Sequence, residues 1–140
     1  MKNFAFLIWI SAMLSSSGCV SERPSLMGVV RVDPSEYQNM LISLDEETRK
    51  FNMQRKSAAP GLNQLIGRKV LFHAYTLNET NKYPFVITDV KKEGMIEFEM
   101  YSQDFENKKE YEIFVESMFA IFAEYGDIVE VCSPDSQRCN

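Results

Sequence analysis

Apolar residues recur along this chain with two clear periods, and each period implies an element. From Met95 to Tyr101 the pattern alternates: Ile96, Phe98 and Met100 point one way, Glu97 and Glu99 the other, as in a half-buried strand. Lys69–Leu77 and Tyr83–Val90 are rich in β-branched and aromatic residues and read as two further strands. The polar loop Asn78–Lys82 joins them, Pro84 stands at the entrance of the second, and Lys91-Lys92-Glu93-Gly94 turns the chain into Met95. A short β-branched run, Met27–Val32, opens the domain, and Gly126–Cys132 closes it as a strand.

Two stretches follow the helical period instead. Tyr37, Met40, Leu41, Leu44, Thr48 and Phe51 share one helical face. They follow Asp33-Pro34-Ser35-Glu36, which has the residues of a capping box with proline at the first helical position. Glu46 and Lys50 stand at ion-pair spacing. The same stretch also alternates at Met40, Ile42 and Leu44, which admits a hairpin with a turn at Leu44–Thr48 and a return strand at Arg49–Met53. Tyr111, Phe114, Val115, Met118, Phe119 and Phe122 form a second helical face with Gly126 as its stop, after a polar loop from Gln103 to Glu110; Tyr111, Ile113 and Val115 leave a bent strand open. Ser57–Gly61 reads as punctuation and Leu62–Ile66 as one helical turn closed by Gly67.

These elements predict an α+β fold: a small antiparallel sheet, or a partly open barrel, with one or two covering helices. The order strand, strand, strand, helix, strand, ending on Gly126-Asp127-Ile128-Val129-Glu130-Val131, resembles an OB-type barrel over about half the chain.

The N-terminus has no amphipathic period. Lys2 precedes an unbroken apolar run, Phe4–Ile10 continuing to Leu14, and then Ser15-Ser16-Ser17-Gly18 leads into Cys19. This is the three-part plan of an export signal, and the run falls short of the roughly 20 apolar residues that span a bilayer. Ser16-Ser17-Gly18-Cys19 resembles the lipobox of bacterial lipoproteins, with Ser16 where that pattern prefers an aliphatic residue. The resemblance implies cleavage before Cys19 and attachment of acyl chains to it. Val20 in the next position, rather than aspartate, implies an outer-membrane address facing the periplasm. An ordinary cleavage at the same place would leave Cys19 a free thiol. The expected organisation is a signal peptide over residues 1–18, a lipidated N-terminus and tether over 19–27, and one globular domain over 28–140.

Cysteine usage fits that compartment. Of three cysteines, lipidation of Cys19 leaves Cys132 and Cys139, an even number suited to oxidising surroundings. A Cys132–Cys139 disulfide is expected; a loop this short constrains the unfolded chain by roughly 2–2.5 kcal/mol. The formal net charge of −5 becomes −6 when Lys2 leaves with the signal, so the domain lacks the basic footprint of a nucleic-acid binder.

Catalytic chemistry is weakly represented. His73, the only histidine, is flanked by Phe72 and Ala74 on a strand, with no metal-ligand spacing and no triad partner placed beside it. Glu97, Glu99, Asp104, Glu106, Glu110 and Glu112 contain a possible acid–base pair, though their alternation with apolar residues reads as a solvated face. The mature methionines Met27, Met40, Met53, Met95, Met100 and Met118 are scattered as core filler rather than clustered as copper ligands. Asn78-Glu79-Thr80 matches a glycosylation sequon of no use to a bacterial lipoprotein, and no phosphate loop or dinucleotide fingerprint occurs. Tyr75, Tyr83, Phe85 and Tyr101 gather near the sheet, either as a binding surface or as the core of a small β domain. No catalytic, metal or cofactor residue is therefore expected. The expectation is a membrane-anchored, non-enzymatic module that binds a protein or cell-wall partner. The alternative is a small envelope hydrolase using a carboxylate pair or His73.

Overall fold

The computed structural model of the protein describes residues 23–57, 72–78, 80, 82–89 and 94–133. In chain order the elements are β1 (Leu26–Val32), α1 (Tyr37–Arg49), β2 (Met53–Ser57), β3 (Phe72–Leu77), β4 (Phe85–Asp89), β5 (Met95–Met100), a single 3₁₀ turn (Ser102–Asp104), α2 (Lys108–Tyr125) and β6 (Gly126–Cys132). The strands form one open sheet in the order β2-β3-β4-β5-β1-β6, antiparallel throughout. The fold is thus α+β with two helices on an antiparallel sheet. Of the two sheet arrangements expected, the open one is realised and the OB-type barrel is not, since β2 and β6 stand at opposite edges.

Both helices cover one face. Met40, Leu41 and Leu44 of α1 and Phe114, Met118 and Phe122 of α2 meet Val30, Val32, Tyr75, Phe85, Ile87, Ile96, Phe98 and Met100 in a single core. The alternation in β5 appears as expected, with Ile96, Phe98 and Met100 buried beneath the helices and Glu97 exposed. Phe122 lies at the centre, its ring 4.9 Å from Phe98 and 6.3 Å from Phe85. Gly28 opposes Phe98 in the sheet, and a Cβ there would lie 2.6 Å from the Phe98 ring, so the absent side chain is the space the ring occupies.

Several local readings need correction. Leu26 and Met27 already pair with Met100 and Glu99, so the sheet begins two residues inside the segment expected to be tether. The Asp33 carboxylate does not cap α1; it accepts from the Ser35 backbone N–H at 2.9 Å and hydroxyl at 2.7 Å, and the helix starts at Tyr37. Lys50 pairs with Glu47 at 2.6 Å, not with Glu46. The hairpin alternative for this stretch is replaced by α1 followed by β2. That strand was not foreseen, because Met53-Gln54-Arg55-Lys56-Ser57 carries no run of apolar alternation. Asn52, at φ 58°, makes the tight reversal between them.

α2 begins at Lys108 rather than Tyr111, and the bent-strand alternative does not occur. Asn107 Oδ1 caps the helix by accepting from the Glu110 backbone N–H at 2.9 Å, and the Glu110 carboxylate accepts from the N–H of Glu106, the residue before the cap, at 3.2 Å. Gly126 ends the helix and opens β6 without a loop between them. The turn expected at Leu62–Ile66 lies outside the described residues.

Candidate functional site

The most strongly built polar cluster joins α1 to the β2 edge of the sheet. β2 and β3 pair so that Arg55 lies opposite Tyr75, and His73 lies two residues before Tyr75 on the same face. Asp45 reaches them from the last turns of α1. Arg55 holds it with both arms of its guanidinium, Nε to Oδ1 at 2.8 Å and Nη2 to Oδ2 at 3.0 Å, and the Tyr75 hydroxyl donates to Oδ1 at 3.1 Å. Arg55 Nη1 lies 3.4 Å from His73 Nδ1, which can only accept there.

Each partner is tuned by this arrangement. The hydrogen bonds to Asp45 raise the pKa of Arg55 above its already high value. Burial, followed by the Asp45 charge, raises the Tyr75 phenol, so it remains a donor throughout the physiological range. Burial first, and then the Arg55 charge, lowers the pKa of His73, while Asp45 opposes the shift. Arg55 therefore stands between the imidazole and the carboxylate. With Nδ1 accepting from Arg55, the imidazole proton lies on Nε2, and His73 and Asp45 form no dyad with each other.

Beyond this cluster opens a groove of about 540 Å³, lined by Asp45, Arg49, Met53, Gln54, Arg55 and Asn78. Its wall is polar except for Met53, which is buried. Among the described residues its lining offers guanidinium and amide groups but no serine, cysteine or histidine.

The residues singled out from sequence are dispersed. His73 is buried at 6 % exposure within the cluster just described. Three of the carboxylates are engaged by other groups. Glu99 accepts from the Tyr101 hydroxyl at 2.6 Å, Glu110 caps α2, and Glu112 meets Lys108 at 3.6 Å. Tyr75 and Phe85 stack in the core with ring centres 5.0 Å apart, whereas Tyr83 is exposed, so the four aromatics form no common surface. Met40, Met53, Met100 and Met118 are buried as filler. Cys132 is buried at the end of β6; Cys19 and Cys139, and with them the lipid site and the second half of the disulfide, lie outside the described residues. Among the described residues no three His, Cys, Asp or Glu side chains gather as a metal site, and no helix is long and apolar enough to cross a membrane.

Sequence reasoning missed the groove. Asp45 and Arg49 stand at i,i+4 spacing, a visible signal, but the ten-residue step from Asp45 to Arg55 crosses a helix end and a turn and has no signature in the chain. No family model matches the chain, and neither does any curated protein or solved structure.

Proposed function

We propose that the chain is an envelope-anchored lipoprotein whose single α+β domain acts by binding, not by catalysis. The anchor reading rests on the leader that ends in Ser16-Ser17-Gly18-Cys19. Acyl chains on Cys19 fix the protein to the membrane, and tethering raises its effective concentration beside other envelope components. A Cys132–Cys139 bridge belongs to the same reading. The observation that supports binding is the groove: among its described lining residues the one carboxylate, Asp45, is held by Arg55 and Tyr75, so this lining carries hydrogen-bonding capacity without a free general base. The partner belongs to the cell wall or to an envelope protein.

Two measurements test this. Cys19→Ser should abolish acyl labelling and release the protein from the membrane; unchanged labelling or retention refutes the anchor. A photo-crosslinking residue placed at Gln54 of the full chain, in its native host, should give a discrete adduct with an envelope component. The same probe at Glu116, on exposed α2 surface, should not. Absence of an adduct at Gln54, or equal adducts at both positions, refutes binding through the groove.

A further inference from the structure

We propose that the groove recognises a carboxylate, presented by a small polar molecule, and that Arg49 is the residue that reads it. The inference rests on the binding reading above and names the ligand class for that same site. Asp45 and Arg49 stand one helical turn apart on α1, where an aspartate and an arginine ordinarily pair. In the folded protein both oxygens of Asp45 are already engaged: Oδ1 accepts from Arg55 Nε and the Tyr75 hydroxyl, and Oδ2 accepts from Arg55 Nη2. Arg49 makes no ion pair with this i,i+4 neighbour, and among the described residues the three ion pairs do not include it.

The charges of the lining follow. Among the described lining residues Asp45 offsets Arg55, and Arg49 adds one positive charge on a chain whose overall charge is −5. The described lining is therefore locally positive on an acidic molecule. Gln54 and Asn78, both exposed on the same wall, supply amide donors and acceptors for groups flanking an anion. A planar carboxylate matches the two parallel N–H donors of a guanidinium, whereas an uncharged sugar would leave Arg49 hydrated and without a counter-charge. The occupant is a carboxylate set among hydroxyl or amide groups, which two sources can present: an acidic sugar or the C-terminus of a peptide.

The test uses the full mature chain in detergent and four probes: glucuronic acid for the sugar carboxylate, N-acetyl-alanyl-alanine for the peptide carboxylate, methyl glucoside as the uncharged analogue, and inorganic phosphate. Saturable binding of one or both carboxylates, at concentrations up to about 1 mM, is expected by calorimetry or amide chemical shifts. Arg49→Ala should weaken it about tenfold or more, Arg49→Lys should weaken it less, and Lys108→Ala on α2 should leave it unchanged. Which carboxylate binds identifies the source. Binding of phosphate alone, equal binding of methyl glucoside, insensitivity to Arg49→Ala, or no binding of any probe overturns the proposal. Failure here is separable from failure of the binding reading: a Gln54 adduct that forms equally in the Arg49→Ala protein keeps the groove as a binding site and removes the carboxylate.

Discussion

Asp45 joins three elements through one carboxylate. It receives the Arg55 fork from β2 and the Tyr75 hydroxyl from β3 while belonging to α1. The ion pair is partly exposed, with 25 % and 21 % of the two side chains accessible, so solvent screening keeps its contribution near the modest end for such contacts. It also fixes where Arg55 points, and the Arg55 charge adds to burial, the larger cause, in lowering the pKa of His73. The neutral imidazole is the form the fold accommodates. As pH falls through the ordinary 6.5, the unfolded chain takes up a proton that the folded chain declines until lower pH. Stability from this source is complete above that value and is lost as pH falls from there towards the depressed folded pKa. The urea midpoint should therefore drop more between about pH 7.5 and about pH 5.5 for the parent protein than for His73→Gln. Equal drops would show that His73 is as easily charged in the fold as outside it.

At the scale of elements, the two helices are started by different means. α1 has no side-chain cap at its first turn, and Asp33 instead closes a turn on Ser35 before the helix begins. α2 is capped by Asn107, whose side chain satisfies the Glu110 N–H of its first turn, while the Glu110 carboxylate holds the Glu106 N–H just before the helix. Asn107→Ala should therefore cost about 1 kcal/mol in chemical denaturation, with the slope of the transition unchanged. Asp33→Ala, outside either helix, should cost less. The edges of the sheet also differ. β6 carries exposed Ile128, Val129 and Val131, but its pairing with β1 slips at Val29/Val30, and Asp127 and Glu130 interrupt the apolar residues. A bulge and interspersed charge are how natural sheets discourage edge-to-edge association.

For the whole molecule, stability is concentrated in the aromatic contacts between α2 and the sheet. Phe122 packs against Phe85, Phe98 and Phe119 and is fully buried. Phe122→Ala should cost about 3–5 kcal/mol, a large share of the stability of a domain this size. Ile113→Ala, on the same helix but with its side chain 47 % exposed, should fall within about 0.5 kcal/mol of the parent. Equal losses from the two would mean that the core is not centred where the rings meet. The groove lies between α1 and the β2 edge of the sheet, away from these rings, so Arg49→Ala should alter binding without lowering the denaturation midpoint.

Periodicity was enough to read β5 and to mark the apolar faces of α1 and α2, although alternation within both helical stretches left a strand open, because a half-buried strand and an amphipathic helix each leave a period in the chain. The class of fold follows from those elements, and the leader with Cys19 supplies the expected address. β2 was not legible, since an edge strand of polar residues takes its conformation from the neighbour it pairs with and carries no pattern of its own. The groove was not legible for a related reason. Asp45 has a partner at helical spacing in Arg49, and only the packing of α1 over β2 and β3 assigns its oxygens to Arg55 and Tyr75 instead. Local order is set by neighbours within a few residues, and it is written in the sequence; which charges meet and which are left facing a groove depends on contacts between distant segments, and only the folded chain decides it.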